Sequence, residues 1–149
     1  MTDTVADQTA VEVGRFYPHR AERVWRALTT PELMAQWLME PKGFAPVAGS
    51  WFTFGVPPMP STGFSGEIVC QVLSVVTDEL LSISWADARS ERHAVWTVTW
   101  TLKPEGQGTR VLLRHSGFDP DSDSEQRART IMGKGWLSIA DRLGNVLAG

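Results

Sequence analysis

From residue 94 to residue 102 the chain alternates, with Ala94, Trp96, Val98, Trp100 and Leu102 on one parity and mostly threonines on the other. That period predicts a strand with one buried face. From about Asp123 to Ala148 the spacing becomes helical, placing Ala128, Ile131, Met132, Trp136, Ile139, Leu143, Val146 and Leu147 on one stripe. Twenty-six residues of helix reach about 39 Å, enough to cross a small domain. A one-sided sheet and a one-sided helix hide their apolar faces against each other. Indoles in that seam make either a thick aromatic core or a lined cavity.

The rest of the chain fits the same scheme. Val11 to Tyr17 reads as a first strand, stopped by Pro18. Ala21 to Leu28 is a short helix with Val24, Trp25 and Leu28 inward, and Thr30-Pro31-Glu32 opens a second, with Thr30 as its cap. Leu33, Met34, Trp37 and Leu38 line that helix, and Pro41 and Gly43 end it. Ser50 to Gly55 is a strand with Phe52 and Phe54 on one face. Val56 to Gly63 is too proline-rich for a sheet interior and reads as a stiff loop. Between Phe64 and Val76, Ile68, Cys70 and Val72 share a parity that Leu73 and Val75 break, which predicts a β-bulge at Val72-Leu73. Leu80 to Trp85 aligns Leu81, Ile83 and Trp85. A turn over Pro104 to Gly108 leads to a last strand, Thr109 to Ser116, with Val111, Leu113 and His115 inward. Ser122-x-x-Glu125 predicts a capping box for the final helix. Gly133 and Gly135 inside that helix cost about 1 kcal/mol each against alanine, and the reading preferred here is that bare backbone makes room for the sheet or for something bound.

Composition narrows the function. The chain has 149 residues, a net charge of -3 and scattered arginines, which reads as one domain of residues 1–149 and argues against nucleic-acid binding. The polar start, residues 1–9, is expected to lack fixed structure. A single cysteine excludes an internal disulfide. With no secretory signal and no apolar run long enough for membrane insertion, the expectation is a cytoplasmic protein.

The order strand, two short helices, antiparallel sheet and long C-terminal helix is the helix-grip arrangement. The stretch Glu22-Arg23-Val24-Trp25-Arg26-Ala27-Leu28-Thr29-Thr30-Pro31-Glu32-Leu33, with Trp37-Leu38, resembles the N-terminal signature of a START-like (SRPBCC, Bet-v-type) family. That family is named for its similarity to the activator of the ninety-kilodalton heat-shock chaperone's ATPase. Gly49 to Phe54, Cys70 to Leu73, Leu80 to Trp85, Thr97 to Leu102, Gly108-Thr109-Arg110, His115-Ser116-Gly117-Phe118 and Gly135-Trp136 extend the resemblance in order. It implies an α+β fold in which a curved antiparallel sheet of six to seven strands wraps around the last helix. It also implies an apolar tunnel between the two, and, through the family name, a chaperone partner.

Chemistry is sparse. His19, His93 and His115 have no zinc-site spacing, and no HExxH, CxxC or Gly-x-Ser-x-Gly motif occurs. Gly106-x-Gly108 is a turn and not a phosphate cradle. Cys70 on an apolar face reads as a packing thiol. No cofactor, metal or enzyme is indicated. His115 is the one polar group driven inward, either as a hydrogen-bonded core histidine or as the polar contact of an aromatic pocket. The candidate lining is Trp37, Phe52, Phe54, Cys70, Val72, Trp85, Trp96, Val98, Trp100, Leu113, His115, Met132 and Trp136, with the segment Val56 to Gly63 near its entrance. Binding of a small hydrophobic or aromatic molecule leads. A stress-related protein working with a heat-shock chaperone follows, then a cyclase- or hydratase-like enzyme using His115. Homodimerisation stays open.

Overall fold

The computed structural model describes residues 7–55, 66–88 and 96–149. Strand β1 (Ala10–Tyr17) leads into α1 (Ala21–Thr29), α2 (Pro31–Trp37) and a two-residue strand β2 (Pro41–Lys42). Strands β3 (Trp51–Gly55), β4 (Glu67–Val76), β5 (Leu80–Asp87), β6 (Trp96–Glu105) and β7 (Gly108–Ser116) precede α3 (Asp123–Ala148). The seven strands form one sheet in the order β1-β7-β6-β5-β4-β3-β2, every neighbouring pair antiparallel. This is the helix-grip α+β fold. The Val56 to Gly63 loop, Phe64, His93 and Ala94 lie outside the described residues.

Parity set the buried face as expected. Phe52, Phe54, Ile68, Cys70, Val72, Leu81, Ile83, Trp85, Val98, Trp100, Leu102, Val111, Leu113 and His115 are all buried on the helix side. The register of β4 against β5 shifts between Val72 and Ser74, where the parity break predicted a bulge. There the backbone N–H of Gln71 donates to Ser84 Oγ at 2.8 Å, and Val72 exchanges backbone hydrogen bonds with Gly49 and Ser50. The irregular ladder is therefore satisfied from both sides.

Helix α3 is anchored along its length. Tyr17 Oη donates to Ala140 O at 2.8 Å, Arg15 pairs with Asp141, and Arg23 Nη2 donates to Leu147 O at 2.6 Å. Trp136, Leu143 and Leu147 are its buried residues. The Trp37 indole donates to Ala27 O at 2.8 Å, locking α2 to α1.

Five local expectations need correction. Ile131, placed on the buried stripe, is 49% exposed, because the stripe turns toward solvent before the helix reaches the sheet centre. Thr30 stands at the N-cap of α2 but its hydroxyl caps nothing; its carbonyl accepts from Leu33 and Met34 instead. The capping box of α3 is half formed: Ser122 Oγ accepts from Glu125 N, whereas the Glu125 carboxylate accepts from Asp119 N at 3.1 Å. A Cβ added at Gly135 would meet nothing within 4 Å, and one at Gly133 would touch Val11 of β1 at an ordinary 3.7 Å, so neither position requires a bare backbone, although Gly133 does border an open groove of about 470 Å³ between β1 and α3. Of the start expected to lack fixed structure, residues 1–6 lie outside the described residues, while Asp7 to Thr9 are held, through an Asp7–Arg114 ion pair and through Thr9 O, which accepts from Gly117 N and Phe118 N.

Candidate functional site

The aromatic side chains on the inner sheet face form a continuous ladder. Ring centroids run Phe44–Phe52 (5.0 Å), Phe52–Phe54 (5.3 Å), Phe54–Trp85 (5.7 Å), Trp85–Trp136 (5.6 Å), Trp136–Trp100 (6.0 Å) and Trp100–Trp37 (6.1 Å). Most contacts are edge to face, the arrangement the ring quadrupoles favour. Edges inserted into faces leave little empty volume. The space bounded by Trp37, Trp100, Leu113, Trp136 and Leu143 is only about 20 Å³. A water fits in such a space and an organic molecule does not. Among the described residues the rings interlock where an open tunnel was expected, and a guest entering between them has to displace one.

The candidate residues fall into three groups. Trp37, Trp100 and Leu113 border that small space with Trp136. Phe52, Phe54, Cys70, Val72 and Val98 belong to the packed core, and Met132 is half-buried against it. Burial pushes the Cys70 thiol up to about 12, which suits packing and not nucleophilic attack. Trp85, Trp96 and Trp136 surround His115, with centroids 6.1, 5.1 and 5.9 Å from the imidazole.

A fourth ring completes this cage. Phe118 lies 4.7 Å from His115 and 4.8 Å from Trp96, and is buried. Strand parity could not place it, because it follows β7. Gly117 adopts φ 105°, a left-handed conformation natural to glycine, and folds the chain back so that Phe118 covers the imidazole. The His-Ser-Gly-Phe sequence, an aromatic just past a glycine at a strand end, was the available signal.

His115 itself is fully buried. The Trp136 indole Nε1–H donates to its Nδ1 at 2.9 Å. An indole nitrogen only donates, so Nδ1 must be the unprotonated nitrogen. Burial holds the imidazole pKa down at about 4, so the ring is neutral at pH 7 and its proton sits on Nε2. Among the described residues that Nε2 has no hydrogen-bond partner. The reading of His115 as a hydrogen-bonded core histidine holds at Nδ1. Trp96 is the half-buried member of the cage, its Nε1 donating over a long 3.4 Å to Glu125 Oε1.

The cage sits at one end of the sheet. Trp85 faces Trp96 across the β5–β6 pair, His115 faces Val98, and the start of α3 lies beside them through Glu125. Among the described residues no cluster of metal-ligating side chains occurs, and no helix is long and apolar enough to cross a membrane.

Comparison with known proteins agrees with this architecture. A protein of Mesorhizobium loti, MLL2253, is 31% identical, with 93% of this chain and 96% of that chain covered and a TM-score of 0.80. DynU16, a protein in the dynemicin biosynthetic locus, is 22% identical, with 94% of this chain and 47% of that chain covered and a TM-score of 0.75. The Aha1 dimer of Colwellia psychrerythraea is 19% identical, covers 91% and 96% of the two chains, and has a TM-score of 0.70. No protein of curated function matches significantly. The family model described as activator of Hsp90 ATPase homolog 1-like protein matches residues 18–148, and the chain belongs to that family.

Proposed function

We propose that the protein binds a small hydrophobic or aromatic molecule at the His115 cage, without carrying out chemistry on it. The observation that carries this reading is the buried, unpartnered Nε2–H of His115 among four aromatic rings. An unsatisfied buried donor costs about 1–3 kcal/mol, and a ligand acceptor would recover that cost. Apolar burial would add about 25 cal/mol per Å². Entry requires a ring to move, and Trp96 is the half-buried ring of the cage. Binding asks no proton transfer of an imidazole whose other nitrogen is already engaged.

DynU16, a protein in the dynemicin biosynthetic locus, shares the fold at 22% identity, which motivates including natural products among the probes. The chaperone-associated and dimeric alternatives rest on the family name and on the Colwellia dimer, at 19% identity, and on no feature of the cage. A panel of lipids, polyketides and flavonoids, read by tryptophan fluorescence and melting temperature, tests the proposal. Saturable quenching with a raised melting temperature is expected for flat aromatic members. A panel that moves neither signal contradicts it.

A further inference from the structure

We infer that the cage selects neutral aromatic ketones, whose carbonyl oxygen accepts the Nε2–H of His115. This inference rests on the ligand-binding reading above and names the class of molecule that site would take. Trp136 fixes the tautomer, because its N–H can only donate and so claims Nδ1 as acceptor. The remaining nitrogen therefore presents a donor, in a place where no described residue accepts it. A ligand ammonium would bring donor against donor. A plain hydrocarbon would leave the donor as unsatisfied as before. A carbonyl oxygen in the plane of a flat ring system meets it and lets the rest of the molecule stack.

Two neighbours sharpen the class. The rings of Trp96 and Phe118 lie 4.8 Å apart and are tilted by 41°, and His115 lies 4.7 Å from Phe118 at a tilt of 32°, so the rings pack on one another and a flat guest that reaches Nε2 takes the place of one of them. The Glu125 carboxylate beside the Trp96 indole sets a negative charge at the half-buried side of the cage. It disfavours carboxylates and phenolates and leaves the neutral carbonyl.

The test compares 1-indanone with indane, molecules of one shape that differ by the carbonyl oxygen. Indane is the more hydrophobic, so a cage without a free donor binds indane more tightly. The expected result is the reverse order, with 1-indanone favoured by about ten- to a hundredfold, and this preference lost in His115→Phe while indane still binds. Because His115→Phe also strips Trp136 of its acceptor, a second readout uses the wild-type chain. Imidazole ¹⁵N spectra should show Nδ1 unprotonated and Nε2 protonated, with the Nε2–H signal moving on addition of 1-indanone and not of indane. Trp136→Phe should release the lock and give mixed tautomers. Equal affinities, or a preference for indane, overturn the ketone inference and leave the binding site standing. Binding of neither molecule, with an unmoved imidazole spectrum, overturns both.

Discussion

An imidazole engaged at one nitrogen and buried at the other ties the stability of the whole chain to pH. In the unfolded chain a histidine titrates near its ordinary value of about 6.5, whereas folded His115 resists protonation down to about 4. Between those values the unfolded state binds the extra proton, so stability rises with pH across the window. The contribution is complete above about pH 6.5 and is lost as pH falls toward 4, on the order of 3 kcal/mol in all. Urea melts of wild type and His115→Phe at pH 7, 5.5 and 4.5 check this. The wild type should lose more stability across the range than the variant, and parallel losses would contradict the assignment. At this scale the site was half legible. Alternation sent His115, Trp85 and Trp96 inward, but the identity of the bonded nitrogen depends on Trp136 arriving from a helix 21 residues away in sequence. Phe118 lay past the last strand residue, where parity has nothing to say.

Elements carry their own test in two glycines. Gly108 begins β7 where an added Cβ would stand 2.6 Å from Tyr17 O and 2.5 Å from the Phe16 ring, at the end of the β1–β7 ladder. Backbone cannot retreat there without breaking register, so Gly108→Ala should destabilise by about 2 kcal/mol. Gly135 lies mid-helix facing open space, and Gly135→Ala should stabilise by about 1 kcal/mol through helix propensity. Thermal or chemical denaturation of the two variants reads both signs, and a destabilised Gly135→Ala would mean that the helix needs bare backbone after all. Elements with long, unbroken periods were readable: α3 begins at Asp123 and the β4 bulge falls at the parity break. Strand β2 was not, since two residues after a helix, one of them Pro41, carry no period. The capping box placed the helix start correctly through Ser122, while the Glu125 carboxylate turned to Asp119 N in the chain that enters the helix.

For the molecule as a whole, the sheet and α3 enclose an aromatic ladder that closes on itself more tightly than the sequence implied. Large flat side chains can be counted along a strand, but their tilt cannot, and tilt decides whether they leave a tunnel or fill it. Edge-to-face packing leaves about 20 Å³ between Trp37, Trp100 and Trp136. Binding in such a core is coupled to movement of a ring, so a guest should register first at the cage and only weakly elsewhere. The side-chain indole N–H spectrum of ¹⁵N-labelled protein, titrated with 1-indanone, measures this directly. The signals of Trp96, Trp136 and Trp85 should shift saturably with one common affinity, while that of Trp51, 60% exposed on the outer sheet face, stays in place. Movement of Trp51 alone, or no movement of any indole, would contradict a binding site at the His115 cage.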